Sequence, residues 1–157
     1  TVYSEKIYKS IEGSVPPGGY TYTGHPVGCA VAIKAMDIYV RDKVAEHVTE
    51  VSNHMYERLR AEFLPLPCVG NVGGLGFFGG MDIVADKATK KVLDPALHVM
   101  ERLQDEALQK GLYLRVASHL ITQGDRICII PPLVINREEL DEALDILYPL
   151  VASIKPS

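Results

Sequence analysis

The chain has 157 residues, with 16 Lys+Arg against 20 Asp+Glu, a formal net charge of −4 and a pI near 5.7. Apolar residues make up 47% and charged residues 23%, an ordinary globular balance that argues against disorder, collagen-like repeats and acidic tails. The acidic balance also argues against a nucleic-acid reader, which needs a basic face; Lys87, Lys90 and Lys91 form the densest basic group, and Asp86 and Asp94 flank it.

Ser4 is placed to cap a short helix carrying Ile7, Tyr8 and Ile11 on one side. A Gly/Pro loop over residues 13–19 breaks that helix. Tyr20 to Pro26 leads into a second helix, predicted to run to about Val40, with Pro26 suited to its first turn. Ala30, Val31, Ala32 and Ala35 make this helix apolar on most sides, so it is expected to be buried between layers. A third helix carries a stripe of Val44, Val48, Val51, Met55 and Leu59, and ends before Pro65 and Pro67. The glycine-rich stretch from Val69 to Asp86 reads as a hairpin or paired strands. Asp94 and Pro95 are expected to open a helix lined by Leu97, Met100, Leu103 and Leu108, which Gly111 stops. Leu112, Leu114 and Val116 alternate with Tyr113, Arg115 and Ala117 as a strand, with Arg115 on the second face, and Arg126 to Ile130 forms another strand, ended by Pro131 and Pro132. Asn136 and Glu139 fit a capping box on the last helix, whose stripe is Leu140, Leu144, Leu147 and Val151. Pro149 is expected to kink or end that helix.

The order of elements predicts an α/β chain. Residues 44–157 form one small α/β domain, and residues 1–43 are the end of a different domain plus a connecting helix. Thr1 stands where an initiator Met would be, so the chain is expected to be a piece of a longer protein. The first six residues lack the basic and apolar parts of a signal peptide, and the apolar run from Ile127 to Ile135 is too short to span a bilayer. Cys29, Cys68 and Cys128 are odd in number and widely spaced, which predicts reduced thiols in a cytoplasmic protein, each a small buried apolar residue.

Several sequence patterns bear on chemistry. Gly74-Leu75-Gly76-Phe77-Phe78-Gly79 matches GxGxxG, but strand-like residues follow it, so the hairpin reading is preferred to a dinucleotide site. His25 and Cys29 form half a metal site with no second pair, and His47 and His54 are expected on a solvated face. No GxSxG elbow is present. Glu138, Glu139, Asp141 and Glu142 are read as complementing the last helix dipole and as solvation. Two stretches stand out. Thr21, Tyr22 and Thr23 offer hydroxyls beside a helix N-terminus, which suits a phosphate or serves only as a capping loop. Arg115 lies among apolar neighbours and needs either a structural carboxylate, the default, or a substrate carboxylate, which Arg grips bidentately.

Tyr20-Thr-Tyr-Thr-Gly-His-Pro-Val27, followed by an Ala-rich helix, resembles the class III pyridoxal-phosphate aminotransferases of the ω-amino acid:pyruvate (β-alanine:pyruvate) type. The same order holds for Val69-Gly70, Gly74-Leu-Gly76, Met81 to Lys87, Gly111-Leu-Tyr-Leu-Arg115, Gly124-Asp125 and Pro131-Pro-Leu133. The resemblance covers nearly the whole chain. It implies a fold-type I transferase, with residues 1–43 ending the large cofactor domain and residues 44–157 forming the C-terminal small α/β domain. It implies a homodimer with shared active sites, a pyridoxal 5'-phosphate cofactor, and transfer of an amino group from an amino acid or amine to pyruvate. Thr21 matches the threonine that reaches the cofactor phosphate across the interface, and Tyr20 matches the aromatic position beside it. Arg115 matches the arginine that binds the substrate carboxylate and swings aside for uncharged amines.

The family's Schiff-base lysine and the aspartate at the cofactor ring nitrogen match positions upstream of Thr1; Lys6, Lys9 and Lys34 do not match catalytic positions. The chain by itself is therefore expected to be inactive, with no catalytic residue of its own. At Gly73 relatives commonly carry Arg. An aminomutase or ornithine-type aminotransferase is a neighbouring reading. The rival from another class is a non-catalytic α/β module for ligand sensing or subunit association, which leaves Thr21 and Arg115 without a shared purpose.

Overall fold

The structure, a computed structural model, describes residues 4–14, 20–117 and 124–155. The Gly/Pro loop expected at 13–19 lies partly outside them. The chain divides into two compact units, Thr1–Asp42 and Lys43–Ser157.

The first unit holds α1 (Glu5–Ile11) and α2 (Pro26–Arg41). Ser4 caps α1, its hydroxyl accepting the Ile7 N–H at 3.4 Å. Pro26 opens α2 at its first turn, where a missing N–H costs nothing. The expectation of a buried α2 is not met. None of its residues is buried, and Val31, Met36 and Val40 are exposed, Val40 by 80%. Small apolar residues make a helix that can be buried, but burial needs a covering layer, and this unit supplies none among the described residues. Cys29 shares this exposure, against expectation.

The second unit is built on a four-stranded antiparallel sheet in the order β1-β2-β4-β3, with β1 Val69–Leu75, β2 Phe78–Ile83, β3 Arg115–Ala117 and β4 Asp125–Ile129. Three helices, α3 (Val44–Arg58), α4 (Val99–Gln109) and α5 (Arg137–Ala152), bury their apolar stripes in one core with the inward residues Met81, Ile83, Ile127 and Ile129. α3 continues into a π-helical turn, Leu59–Phe63, where the Leu64 N–H donates to the Leu59 carbonyl at 2.9 Å. That turn keeps both Leu59 and Phe63 fully in the core.

The glycine-rich stretch is a hairpin. Leu75 pairs with Phe78 around Gly76-Phe77, with Gly76 at φ 55°. The strand at Val72–Leu75 and Gly79–Met81 leaves no helix N-terminus inside the GxGxxG pattern, so nothing there matches a pyrophosphate cradle.

Four local expectations need correction. Asp94 caps a 3-10 turn, Pro95–Leu97, rather than a long helix; its carboxylate accepts the Ala96 N–H at 2.9 Å. His98, at φ 46°, then separates that turn from α4. The break resets the helix phase, so the buried set is Met100, Leu103 and Ala107, while Leu97 and Leu108 face out. β3 is shorter than the alternation predicts. Leu112 and Leu114 belong to the connection, because the Leu112 N–H donates to the Ala107 carbonyl at 2.9 Å and the Leu114 carbonyl accepts from Gln104 at 2.7 Å. Finally, Pro149 sits inside α5, which runs on to Ala152. Leu147, Leu150 and Val151 are all buried, and their packing holds the helix through the one backbone bond that proline cannot donate. The capping box at the other end is formed as expected. The Asn136 side chain accepts the Glu139 N–H at 2.8 Å, and Glu139 accepts the Asn136 N–H at 3.0 Å.

Candidate functional site

In the first unit, the approach to α2 is a tight turn. The Thr23 N–H donates to the Tyr20 carbonyl at 2.9 Å, and the Thr23 hydroxyl accepts the Tyr20 N–H at 3.2 Å. Thr21 and Tyr22 are the two central residues of this turn. The His25 N–H donates to the Tyr22 carbonyl at 3.2 Å, and Gly24 takes φ 72°, which turns the chain into the helix. His25 occupies the N-cap position but makes no side-chain cap bond; its ring packs edge-on to Tyr22, centroids 6.0 Å apart. The first turn of α2 holds no acidic residue. Pro26 carries no N–H and Cys29 donates to His25, so the Val27 and Gly28 N–H groups have no acceptor among the described residues. The Thr21 hydroxyl likewise makes no bond among the described residues. Hydroxyl, free N–H groups and positive helix end together suit an oxyanion. Tyr20, 85% exposed, stands beside them.

In the second unit, Arg115 is the first residue of β3 and is exposed. It lies on the sheet face opposite the core, since its neighbour Val116 pairs with the buried Ile127. Across that face, Arg115 pairs with Cys128, Cys128 with Gly80, and Gly80 with Gly73. Two glycines keep this row low. At the sheet edge formed by β3, Arg115 also borders a cleft of ≈ 710 Å³ that lies on the α5 side, with Tyr113, Cys128, Ile130, Pro131 and Pro132, and it is the only charged residue in that lining among the described residues. The structural partner that the sequence made the default for Arg115 is not there among the described residues. The next cation on the same face is already spent. Arg126 grips Asp82, Nη2 to Oδ1 at 2.7 Å, and Asn71 also donates to Asp82 at 3.4 Å.

The histidines and the acidic helix start behave differently from expectation. His47 Nε2–H donates to the Ile135 carbonyl, just before α5, at 2.9 Å, and His54 Nε2–H donates to Asp141 on α5 at 2.8 Å, so both are half-buried and bonded within the protein. Asp141 is therefore a partner and not a solvating charge. Arg58 binds Asp141, Glu62 and Asp145 at 2.9, 2.8 and 2.7 Å. Burial pushes the Asp141 carboxyl up, but the hydrogen bonds from Arg58 and His54 outweigh it and hold it below the usual carboxylate range. The Arg58 bond also pulls Glu62 down. Cys68 is buried, its thiol pushed up by that burial, and Cys128 is half-buried. No cluster of three metal-ligating residues occurs among the described residues. No helix among them is long and apolar enough to cross a membrane.

The sequence singled out Tyr20, Thr21 and Arg115. The structure puts Tyr20 and Thr21 side by side in the first unit and Arg115 in the second. Sequence reasoning missed Tyr113, Cys128 and the Ile130-Pro131-Pro132 wall beside Arg115. Tyr113 is a sequence neighbour of Arg115, whereas Cys128 lies thirteen residues away and meets Arg115 only by cross-strand pairing, which strand register alone gives.

Comparisons with known proteins bear on the family of the chain. An uncharacterized aminotransferase of Sinorhizobium fredii is 36% identical over 159 residues, covering 98% of this chain and 33% of its own length. The diaminobutyrate–2-oxoglutarate transaminase of Halomonas elongata is 35% identical, covering 79% of this chain and 26% of its own length. Among solved structures, a PMP-bound aminotransferase from Vibrio fluvialis matches with a TM-score of 0.75 at 33% identity, over 94% of this chain and 30% of that one. The chain thus spans a third or less of the length of these relatives. The model of the aminotransferase class-III family matches residues 1–151, and the chain belongs to that family.

Proposed function

We propose that the chain is the C-terminal part of a pyridoxal-phosphate-dependent ω-aminotransferase that moves an amino group from an amino acid or amine to pyruvate. In this reading residues 1–43 end the large cofactor domain and residues 44–157 are the small domain. The observation that carries it is Arg115, whose guanidinium has no partner among the described residues and which is the only charged residue bordering an otherwise apolar cleft among them. A guanidinium placed there recognises a small molecule bearing one carboxylate, by two parallel hydrogen bonds. Pyruvate has one carboxylate, and the neighbouring Arg126 is held by Asp82, which supports a monocarboxylate acceptor over a dicarboxylate one.

The donor set before α2 fits a phosphate ester. The Thr21 hydroxyl and the Val27 and Gly28 N–H groups are unspent among the described residues, and the first turn of α2 carries no carboxylate to oppose an anion. Thr21 and the start of α2 would hold the cofactor phosphate, and Tyr20 would line the site beside it. We assign these residues to the site of a second copy, in a homodimer whose subunits complete each other. Bound there, pyridoxal 5'-phosphate supplies the electron sink and carries the amino group. Arg115 orients the oxo acid by its carboxylate and moves aside when the donor is an uncharged amine. The bonding lysine is assigned to chain beyond Thr1–Ser157. A cytoplasmic protein is consistent with the three free cysteines.

Substitution of Arg115 in the full-length protein tests this reading. Arg115→Ala should lower kcat/KM for pyruvate about 100-fold, the scale of a lost charge-assisted bidentate contact, while the half-reaction with an uncharged amine donor changes little. Equal losses in both half-reactions would refute the carboxylate role.

A further inference from the structure

Three hydroxyls precede α2 in sequence, and any of them looks equally suited to an anion. The structure divides their labour. Thr23 is spent twice on Tyr20, its hydroxyl accepting the Tyr20 N–H at 3.2 Å and its N–H donating to the Tyr20 carbonyl at 2.9 Å. The Tyr22 ring is engaged edge-on by His25. Thr21 is left at the centre of the closed turn with its hydroxyl uncommitted among the described residues.

We infer that Thr23 is a positioning residue for the cofactor phosphate: it closes the Tyr20–Thr23 turn from both directions and so holds the Thr21 hydroxyl at the open end of α2. The inference rests on the phosphate reading of Thr21 proposed above. A turn closed by a single backbone bond leaves the Tyr20 N–H to water and lets the Thr21 peptide rotate. The second, side-chain bond removes that freedom before any ligand arrives, which is how preorganisation raises affinity. Thr23 thereby acts without touching the phosphate, through a bond that a serine can also make and a valine cannot.

The test measures equilibrium affinity of the full-length apoprotein for pyridoxal 5'-phosphate and for pyridoxal, which lacks the phosphate. Thr23→Val should weaken pyridoxal 5'-phosphate binding about five- to tenfold, the scale of one charge-assisted hydrogen bond misplaced, and leave pyridoxal binding unchanged. Thr23→Ser should restore the affinity. In a Thr21→Val background, Thr23→Val should add less than about twofold, because the group it positions is gone. A full additional loss in that background overturns the inference, as does an equal loss for pyridoxal. If Thr21→Val weakens phosphate-dependent binding and Thr23→Val does not, the positioning role fails and the phosphate reading survives. If Thr21→Val leaves the ratio of the two affinities unchanged, the phosphate reading fails and takes this inference with it.

Discussion

Arg58 shows how much one side chain can organise. It is 18% exposed and bonds carboxylates on its own helix and on α5, through Glu62, Asp141 and Asp145. A guanidinium with three carboxylates around it stays charged, so its removal leaves acidic groups crowded together without a cation. Arg58→Met should cost about 1–3 kcal/mol in urea unfolding, below the fully buried case because its partners are partly exposed. The pH dependence follows from Asp141. Its folded pKa is depressed, so the stability it adds is present above the ordinary carboxylate value and is lost as pH falls through the folded one. Urea midpoints should fall between about pH 5 and pH 3, and Arg58→Met should flatten that fall. A fall of the same size in the variant would mean that other carboxylates carry the effect. At the same scale, Arg115 and Arg126 differ only in what faces them. One guanidinium on this sheet face meets Asp82, and the other has no partner among the described residues.

The hairpin and the last helix show how local chemistry sets elements. Gly74 sits at φ 147°, and a Cβ there would lie 2.4 Å from the Phe78 carbonyl oxygen and 2.5 Å from the Gly79 Cα. Both are backbone atoms and cannot step aside. It would also meet the Tyr56 hydroxyl, which packs against this glycine and Gly79. Gly74→Ala should therefore destabilise the second unit by about 3 kcal/mol, measured by thermal or urea unfolding. A loss under about 1 kcal/mol would show that the hairpin can shift as a body. The capping box of α5 makes a smaller and separable contribution. Asn136→Ala should cost about 1 kcal/mol, and Asn136→Asp should keep most of it.

At the scale of the molecule, the two units differ in kind. Among the described residues, every buried one lies in Lys43–Ser157 and none lies in the first unit. A chain cut to Lys43–Ser157 should unfold cooperatively, whereas Thr1–Asp42 alone should give no sharp transition, because it buries too little to offset its conformational entropy. Circular dichroism melts of the two pieces check this. The proposed activity is tested at the same scale. Borohydride reduction of the full-length protein with pyridoxal 5'-phosphate should leave a covalent adduct on a lysine outside Thr1–Ser157. An adduct on Lys6, Lys9 or Lys34 would overturn the assignment of that lysine to another part of the chain.

The amino-acid sequence by itself determined the helix starts at Ser4, Pro26 and Asn136, the hairpin, and the apolar stripe of α5. Those features depend on neighbours three or four residues apart, or on glycine and proline backbone limits, and such causes are written locally. It also singled out Thr21 and Arg115, because a hydroxyl cluster before a helix and a cation in an apolar strand are local patterns. Tertiary structure decided the rest. His54 and Asp141 became partners because α3 lies against α5. Pro149 stayed helical because buried leucines around it outweigh one lost hydrogen bond. Leu97 turned outward because His98 broke the helix phase. Whether Arg115 or Arg126 stays free depended on strand register, which brings residues far apart in sequence into one row across a sheet.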